Sequence, residues 1–257
     1  MNAAIVIPAR YASTRLPGKP LLAETGKPLI QHVYEQAMKC VRASRVVVAT
    51  DDERILKAVK GFGGEAMMTR SEHETGGARV AEAAAGLEAD IIVNLQGDEP
   101  EIDPQAIDRL IEIKSGYPCF AATLACPFAV EARAGAGSPD DPSAVKALLG
   151  EQLAPEVYRA RFFTRTICPW PRDARGGIVS PETYFLHLGV YAYAKTDLQR
   201  FAAAPIGALE RAERLEQLRI LEMGGDIAVG VISEAPPGID TPEDYARFAA
   251  RMSERRR

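Results

Sequence analysis

The sequence predicts an α/β fold with a doubly wound, mostly parallel sheet and a smaller inserted lobe. Short apolar runs such as Arg45 to Thr50 and Ile91 to Leu95 have the continuous β-branched character of strands that are buried on both faces. Helical patterns lie between these runs, and strands that alternate with helices favour parallel pairing. From Ala129 to Pro142, glycine, proline and aspartate interrupt the alternation, which indicates the boundary of a lobe.

The elements of the first half carry start and stop signals. Ala3 to Ile7 is the first predicted strand, and Pro8 should end it because proline cannot donate to a ladder. A helix should begin at Pro28, where a missing N–H costs nothing, and run to about Lys39. The remaining signals are Asp51 and Asp52 as caps of a helix, Gly61, Gly63 and Gly64 as its end, and Asp103 with Pro104 as the start of another.

The second half returns to the core after the inserted segment. Leu186 to Tyr193 and Asp226 to Val231 are predicted strands, and a last helix should follow Pro242. We expect one domain over 1–257, with a subordinate lobe at about 129–185, a return to the core over 186–250 and a mobile charged tail over 251–257. A single helix over 209–222 should pack an apolar stripe against the core or a dimer partner; its members are Leu209, Ala212, Leu215, Leu218 and Leu221.

Composition excludes several classes of function. The 257 residues are 47% hydrophobic, which suffices for a substantial core, and the net charge of −4 gives no electrostatic reason to expect nucleic acid or an anionic membrane. No apolar run approaches the roughly 20 residues that span a bilayer. Without a Cys-x-x-Cys pair or a secretory segment, the cysteines predict reduced thiols in a cytoplasmic protein. They are Cys40, Cys119, Cys126 and Cys168.

The loop after the first predicted strand contains three cations among small and stiff residues. Arg10, Arg15 and Lys19 are closely spaced, and Ser13 adds a hydroxyl between them. Ligands of open α/β sheets bind beyond the carboxyl ends of the strands, so these cations should face a ligand. The loop therefore predicts a triphosphate site, although neither a Walker motif nor a Gly-x-Gly-x-x-Gly fingerprint occurs.

A second motif, Gln96-Gly97-Asp98-Glu99-Pro100, follows the strand that ends near Leu95. Mg²⁺ is usually held by one or two carboxylates together with substrate oxygens, and Asp98 is well placed to be the first. Asp240 precedes Thr241-Pro242, so on spacing alone it is equally well interpreted as a helix cap or as a second carboxylate. Glu99 is left outside the metal shell.

In this order the motifs resemble those of the 3-deoxy-manno-octulosonate (Kdo) cytidylyltransferase family, the CMP-Kdo synthetases of lipopolysaccharide assembly. The resemblance covers nearly the whole chain and implies a nucleotidyltransferase fold, similar to that of GT-A enzymes. Besides residues 7–21 and 94–100, it is carried by Phe163-Thr164-Arg165, His187-Leu188-Gly189-Val190-Tyr191, Leu215-Glu216-Gln217-Leu218-Arg219 and Gly238-Ile239-Asp240-Thr241-Pro242-Glu243-Asp244.

The resemblance implies Mg²⁺-dependent transfer of CMP from CTP to the anomeric hydroxyl of Kdo or a close ulosonic acid, with release of pyrophosphate, by a homodimer. It makes Asp98 and Asp240 the metal ligands, and these two with Arg10 and Lys19 the catalytic groups. The nucleotide-binding residues that it implies are Arg10, Ser13, Arg15, Lys19, Thr75, Gly76, Arg79 and Gln96. The acceptor-binding residues are Arg165, His187, Tyr191, Glu216 and Gln217, a set suited to an acidic polyhydroxylated sugar.

One segment departs from the family pattern. The family usually has Ser-Gly-Thr, an acidic residue and arginine after a histidine, whereas here His73 precedes Glu74-Thr75-Gly76-Gly77-Ala78-Arg79. Gly77 and Ala78 thus replace a hydroxyl and a carboxylate near the nucleotide. Two alternatives stay open: activation of an amino-substituted or different ulosonic acid, and a nucleotide-binding relative without turnover. A glycosyltransferase with a sugar-nucleotide donor would usually show Asp-x-Asp, which Gly97-Asp98-Glu99 lacks.

Overall fold

A computed structural model describes residues 1–12, 16–73, 75–173 and 175–255 of the chain. The chain divides into two compact units, the first comprising Met1–Asp108 with Pro236–Arg257 and the second comprising Arg109–Ala235. The predicted organisation, a single domain over 1–257 with a subordinate lobe at about 129–185 and a return to the core over 186–250, stays a prediction.

Strands and helices alternate along the first unit, and strands predominate in the second. The strands are β1 (Ala3–Ala9), β2 (Ala43–Thr50), β3 (Ala66–Met68), β4 (Ile91–Asn94), β5 (Ala121–Pro127), β6 (Lys146–Ala154), β7 (Val157–Thr164), β8 (Phe185–Ala194) and β9 (Ile227–Val231). The α-helices are α1 (Leu29–Ala37), α2 (Glu53–Gly61), α3 (Gly76–Ala85), α4 (Pro104–Gly116), α5 (Lys195–Ala203), α6 (Ala208–Glu213), α7 (Gln217–Glu222) and α8 (Pro242–Glu254). Short 3-10 turns lie at Lys19–Leu21 and Pro181–Thr183.

The strands of the first unit pair in the order β3-β2-β1-β4, and each of these pairings is parallel. Val6 lies opposite Val47 of β2 on one side and Asn94 of β4 on the other. The central strand is fully buried at Val6 and its neighbours, which explains its unbroken apolar sequence. The predicted α/β fold is confirmed, as is the cap of α2, where Asp52 accepts the Arg54 N–H.

β1 continues through Pro8, so the prediction that this proline ends the strand is wrong. Pro8 pairs with Ala49 of β2, whereas pairing with β4 stops at Val6. The carbonyl of Val6 accepts the Leu95 N–H on the β4 side, and residues two apart in a strand point the same way. The missing N–H of Pro8 therefore faces the side on which β4 has already ended, and no ladder hydrogen bond is lost.

The second unit contains a mixed sheet in the order β8-β5-β9-β7-β6. β5 and β9 are parallel, and the other neighbours are antiparallel. β6 and β7 form a hairpin whose turn includes Glu156 in the left-handed conformation, with φ 59°. Lys146 of β6 also pairs with Leu186 of β8, which links the last strand of the sheet to the first.

The predicted single helix over 209–222 is two short helices. α6 ends at Glu213, and Arg214 is left-handed with φ 54° and ψ 46°, a conformation that an α-helix does not tolerate. Leu215 and Leu218 are buried within the chain, whereas Leu209 is 40% exposed. The apolar stripe is therefore not one face, and the two buried leucines need no partner chain to cover them.

Residues 251–254 are the last turn of α8, so the expectation of a mobile tail from residue 251 is wrong. Arg251 Nε donates to Glu101 Oε2 at 3.0 Å, and Arg255 Nη2 lies 3.1 Å from the other oxygen of that carboxylate. On its apolar side, α8 packs Tyr245 and Phe248 into a buried cluster that also contains Leu16, Leu29 and Ile239. This packing fixes the segment that precedes α8 against the loop that follows β1.

We expect Arg214→Gly to raise the free energy of unfolding by up to about 1 kcal/mol. The left-handed conformation costs a non-glycine residue about 1–2 kcal/mol, and the greater freedom of glycine in the unfolded chain offsets part of that gain. Ala212→Gly, two residues earlier in α6, should instead lower the stability by about 1 kcal/mol. Urea unfolding of both variants measures the difference; equal destabilisation by the two would contradict the assigned helix break.

Candidate functional site

Lys19 joins the two predicted metal ligands of the first unit. Its Nζ lies 2.8 Å from Asp98 Oδ2 and 3.6 Å from Asp240 Oδ1. It also donates to the carbonyl of Ile239 at 2.7 Å, and the Ile239 N–H donates in turn to the carbonyl of Asp98 at 3.0 Å. Asp98 and Asp240, which come from two different motifs, thus both lie close to the ammonium group of Lys19, which comes from a third.

The turn that presents Lys19 requires glycine. Gly18 is left-handed with φ 68°, and its N–H donates to the carbonyl of Tyr11 at 3.1 Å. A Cβ at Gly18 would lie 3.2 Å from the Tyr11 ring, and the Arg54 guanidinium covers that ring at 3.3 Å from its centroid. These contacts hold Tyr11 against Gly18. Ser13 and Arg15, two predicted nucleotide ligands, lie outside the described residues.

Asp240 is not the N-cap of α8. Thr241 caps α8, because its side chain accepts the Asp244 N–H and the Asp244 carboxylate accepts the Thr241 N–H. Pro242 follows in the first turn, where proline is tolerated. The Asp240 carboxylate instead lies beside Lys19.

Glu99 adds a third acidic side chain, one that the sequence interpretation left out of this cluster. The pKa of Glu99 is raised to about 8, first by burial and then by Asp98 and Asp240, while Lys19 opposes the rise. The two carboxylates of Asp98 and Asp240 outnumber the single ammonium of Lys19, which favours a further cation. Among the described residues no group of three or more His, Cys, Asp or Glu has metal-binding geometry, so a cation would depend on Asp98, Asp240 and oxygens of a ligand. That donor set fits Mg²⁺.

Arg10 connects the end of β1 to the start of α3. Its Nη2 donates to the carbonyl of His73 and, at 3.4 Å, to that of Thr75. Thr75 caps α3 by accepting the Ala78 N–H at 3.2 Å. The departure from the family pattern at Gly77 and Ala78 therefore lies in the first turn of a capped helix, whose N-terminus favours anions.

Gly76 and Gln96 lie at the same edge of the sheet. A Cβ on Gly76 would lie 3.7 Å from the Pro8 ring and 3.9 Å from Gln96 Oε1. Gln96 is oriented by Asn94, whose Oδ1 accepts from its Nε2 at 3.2 Å. The predicted nucleotide residues Arg10, Thr75, Gly76 and Gln96 are thus brought together beyond β1 and β4.

Arg79 is fully buried. Its Nη2 binds Asp51 Oδ2 at 2.6 Å, and its Nη1 donates to the Thr69 hydroxyl. These contacts attach the first turn of α3 to the ends of β2 and β3. Contact between Arg79 and the nucleotide stays a prediction. The bonds to Asp51 and Thr69 hold α3 in place.

The predicted acceptor residues lie in the second unit: His187 and Tyr191 are on β8, Glu216 and Gln217 are at the start of α7, and Arg165 follows β7. Tyr191 Oη and Gln217 Nε2 are buried without a hydrogen-bond partner among the described residues. Burial raises the pKa of Tyr191, and the charges of Tyr193 and Glu216 add to that rise. Each buried unsatisfied polar group costs about 1–3 kcal/mol, so the two orphaned atoms indicate a place for a polar ligand.

His187 is neutral, since burial lowers its pKa to about 3. Its ring lies 5.4 Å from that of Tyr191, and its Nε2 lies 3.0 Å from Thr123 Oγ1. The Thr123 hydroxyl also lies 2.7 Å from the carbonyl of Val190 and 3.1 Å from that of Leu188; when it donates to one of these carbonyls, His187 Nε2 carries the ring proton and Nδ1 is left as an acceptor. Thr123 was missed in the sequence, where a buried threonine on a strand gives no functional signal.

The same threonine stabilises an irregularity in β8. Thr123 pairs with Tyr191, but the next residue, Leu124, pairs with Leu188, so β8 bulges between them. The bulge carries the Gly189 segment of the His187 to Tyr191 motif. It sets the relative direction of the His187 and Tyr191 side chains.

Arg165 differs from the other acceptor residues because carbonyls already hold it. Its Nε donates to the carbonyl of Glu213 at 2.7 Å, its Nη1 to that of Pro142 at 2.9 Å and its Nη2 to that of Arg214 at 3.4 Å. These bonds fix the guanidinium. Its contact with an acceptor carboxylate stays a prediction.

With this geometry in place, comparison with known proteins gives the class. The chain matches the model of the cytidylyltransferase family over residues 4–227 and belongs to that family. It is a nucleotidyltransferase.

Individual relatives identify one family within the class of nucleotidyltransferases. The chain is 41% identical to the 3-deoxy-manno-octulosonate cytidylyltransferase of Escherichia coli over 98% of this chain and 97% of that protein. It is 42% identical to the protein of the same name from Rhodopirellula baltica over 98% and 99% of the two chains. The chain belongs to the 3-deoxy-manno-octulosonate cytidylyltransferase family. The 8-amino-3,8-dideoxy-manno-octulosonate cytidylyltransferase of Shewanella halifaxensis is 40% identical over 98% and 99%.

Solved structures agree. A CMP:2-keto-3-deoxy-manno-octonic acid synthetase complexed with CTP superposes with a TM-score of 0.87 at 40% identity, covering 99% of this chain and 100% of that one. A UDP-glucose pyrophosphorylase complexed with UDP-glucose, at 17% identity and a TM-score of 0.65 over 99% and 100% of the two chains, shares the fold. In the part of the chain that the structure describes, no helix is long and apolar enough to cross a membrane.

We expect the pKa of His187 to appear in the pH dependence of stability. The unfolded side chain titrates near 6.5 and the folded one at about 3, so between these values the unfolded state binds a proton that the folded state lacks. The stability contribution present above pH 6.5 is therefore lost as the pH falls. Between pH 8 and pH 5 the wild type should lose roughly 1–2 kcal/mol more than His187→Asn. Urea unfolding at both pH values checks this; equal losses would show that His187 is protonated in the folded protein.

Proposed function

We propose that this protein catalyses Mg²⁺-dependent transfer of the cytidylyl group of CTP to the anomeric hydroxyl of Kdo, with release of pyrophosphate, for lipopolysaccharide biosynthesis. The observation that carries the proposal is the convergence of Lys19, Asp98 and Asp240 on one point. It occurs in a chain that is 41% identical to an enzyme named for this reaction.

The residues of the first unit suit charge neutralisation. Transfer at an α-phosphate needs positioning and electrostatic stabilisation more than covalent chemistry. Lys19 presents an ammonium group that Asp98 and the Ile239 carbonyl hold in place, and Arg10 presents a guanidinium beside the N-terminus of α3. Asp98 and Asp240 would hold Mg²⁺, which when bound supplies a Lewis acid and a template for the reacting oxygens.

The residues of the second unit suit a polyhydroxylated acid. Gln217 Nε2 can donate to a hydroxyl or carboxylate, and Tyr191 Oη can donate or accept. His187 offers Nδ1 as an acceptor, and Glu216 is an acceptor when ionised. A sugar that supplies partners to these atoms recovers the cost of their burial, whereas an acceptor without hydroxyls leaves them unsatisfied.

A second candidate acceptor is an 8-amino-3,8-dideoxy-manno-octulosonate. Relatives named for that substrate are about as similar to this chain as those named for Kdo, at 40–42% identity. Because Gly77 and Ala78 depart from the family pattern near the nucleotide, the nucleotide preference is tested together with the acceptor preference.

Pyrophosphate release tests the function directly. We expect turnover with CTP, Mg²⁺ and Kdo, and lower turnover with UTP, ATP and GTP. Each nucleotide is assayed with Kdo and with its 8-amino analogue, and CMP-sugar formation is confirmed by mass spectrometry. Nucleotide binding without pyrophosphate release from any pair would instead indicate a relative without catalytic activity.

The same assay tests the metal ligands. Asp98→Asn and Asp240→Asn should each lower kcat by about 10² or more, because each removes charge from the metal site while the amide keeps the shape of the side chain. Asp244→Asn, four residues from Asp240 in the cap of α8, should mainly lower the melting temperature. Near-normal turnover of Asp98→Asn or Asp240→Asn at limiting Mg²⁺ would remove that residue from the ligand set.

We also infer a homodimer in the cytoplasm. Large apolar side chains around α6 and α7 are exposed, with Ile206 and Met223 each at 38% and Leu209 at 40%. The four cysteines are free thiols, which agrees with a reducing compartment. Sedimentation velocity at micromolar concentration should show twice the 27.8 kDa mass of the chain. A monomer would contradict the dimer and leave the catalytic proposal unaffected.

A further inference from the structure

We infer that Glu213 is a positioning residue for the acceptor. It forms a reciprocal clasp with Arg165 that sets both the Arg165 guanidinium and the corner from which Glu216 and Gln217 begin. This inference rests on the proposed function, because the reaction that it serves is transfer to a sugar acid.

The clasp consists of bonds in both directions between the end of β7 and the end of α6. The Glu213 carboxylate accepts the Arg165 backbone N–H at 2.9 Å through one oxygen and the Thr164 hydroxyl at 2.7 Å through the other. In return, the Arg165 side chain donates from Nε to the Glu213 carbonyl at 2.7 Å. Side chain meets backbone twice, as in a capping box, so neither residue can rotate without breaking a bond of the other.

Further bonds extend the clasp to the loop before β6. Arg165 Nη1 donates to the carbonyl of Pro142. Lys146, which is fully buried, donates from Nζ to the carbonyls of Arg165 at 2.7 Å and Asp141 at 3.0 Å. The Arg165 backbone is therefore held through its N–H and its C=O, and its side chain is held at a third point.

Glu213 also sets the direction of the next helix. Arg214 turns the chain in the left-handed conformation, Leu215 inserts into the core, and α7 begins with Glu216 as its N-cap and Gln217 as its first residue. Because Glu213 is anchored to the end of β7, the corner between α6 and α7 cannot shift independently of Arg165. A guanidinium fixed in this way can meet a carboxylate without further ordering.

Glu222 provides a matched control. Its carboxylate accepts the N–H groups of Leu209 at 3.0 Å and Glu210 at 3.4 Å, at the opposite end of α6. It therefore stabilises the same pair of helices through the same kind of bond, but among the described residues it forms no hydrogen bond or ion pair with Arg165 or the end of β7. If a change in activity came only from a less stable α6, substitution of Glu213 and substitution of Glu222 should cause it equally.

The experiment compares Glu213→Ala, Glu213→Gln and Glu222→Ala in the pyrophosphate assay, with KM measured separately for Kdo and CTP and with melting temperatures. Glu213→Ala should raise the KM for Kdo by about tenfold while the KM for CTP stays within about twofold. Glu213→Gln should recover most of the Kdo affinity, because its amide oxygen can accept the Arg165 N–H and its NH₂ can donate to the Thr164 hydroxyl. Glu222→Ala should lower the melting temperature and leave the KM for Kdo unchanged.

Two results would overturn the clasp alone: an unchanged KM for Kdo in Glu213→Ala, or an equal increase in Glu222→Ala. If Glu213→Ala does not fold, Thr164→Val replaces it, since it removes only the hydroxyl donor and should raise the KM for Kdo by a smaller factor. Wild-type protein that turns over no ulosonic acid would overturn the proposed function, and the clasp with it. That failure is distinguishable because it appears in the wild type before any variant is compared.

Discussion

The first unit is organised around one electrostatic constraint, the placement of the Lys19 ammonium between carboxylates. Asp98 and Asp240 both lie against this ammonium, which offsets their mutual repulsion, and the pKa of the neighbouring Glu99 is raised to about 8, so Glu99 adds little negative charge at neutral pH. The left-handed Gly18 that begins the turn and the capping box at Thr241 both serve this placement. The proposed Mg²⁺ and triphosphate site rests on this cluster.

The constraint in the second unit is different: neutral polar atoms are buried there without hydrogen-bond partners among the described residues. Tyr191 Oη and Gln217 Nε2 lack partners among the described residues, and His187 is held neutral by burial. Aromatic stacking supports these groups, since the Tyr191 ring stacks on Tyr193 at 5.9 Å and Tyr193 on Phe201 at 6.0 Å. Arg219 covers Phe201 and pairs with buried Glu210 at 2.6 Å, which joins α5, α6 and α7.

Local rules predicted β1, β2, β4 and the cap of α2 but missed the short β3, and they failed elsewhere where a neighbouring element decided the outcome. Pro8 stays in a strand because β4 has already ended on its open side. The helix predicted over 209–222 breaks at Arg214 although the apolar spacing continues, because Glu213 is bonded to the end of β7. Arg79 fits a ligand motif, yet its buried contacts to Asp51 and Thr69 appear only when α3 is assembled on the ends of β2 and β3.

The sequence by itself determined the fold class, the family and the separate motifs that contain Lys19, Asp98 and Asp240. Hydrophobic period, proline and glycine positions and short charged motifs are local properties, so they can be identified without the fold. Only the tertiary structure decided that these three residues share one point, that Thr241 rather than Asp240 caps α8, and that Glu213 holds Arg165. Each of these depends on the distance between atoms that are remote in sequence, and packing alone sets that distance.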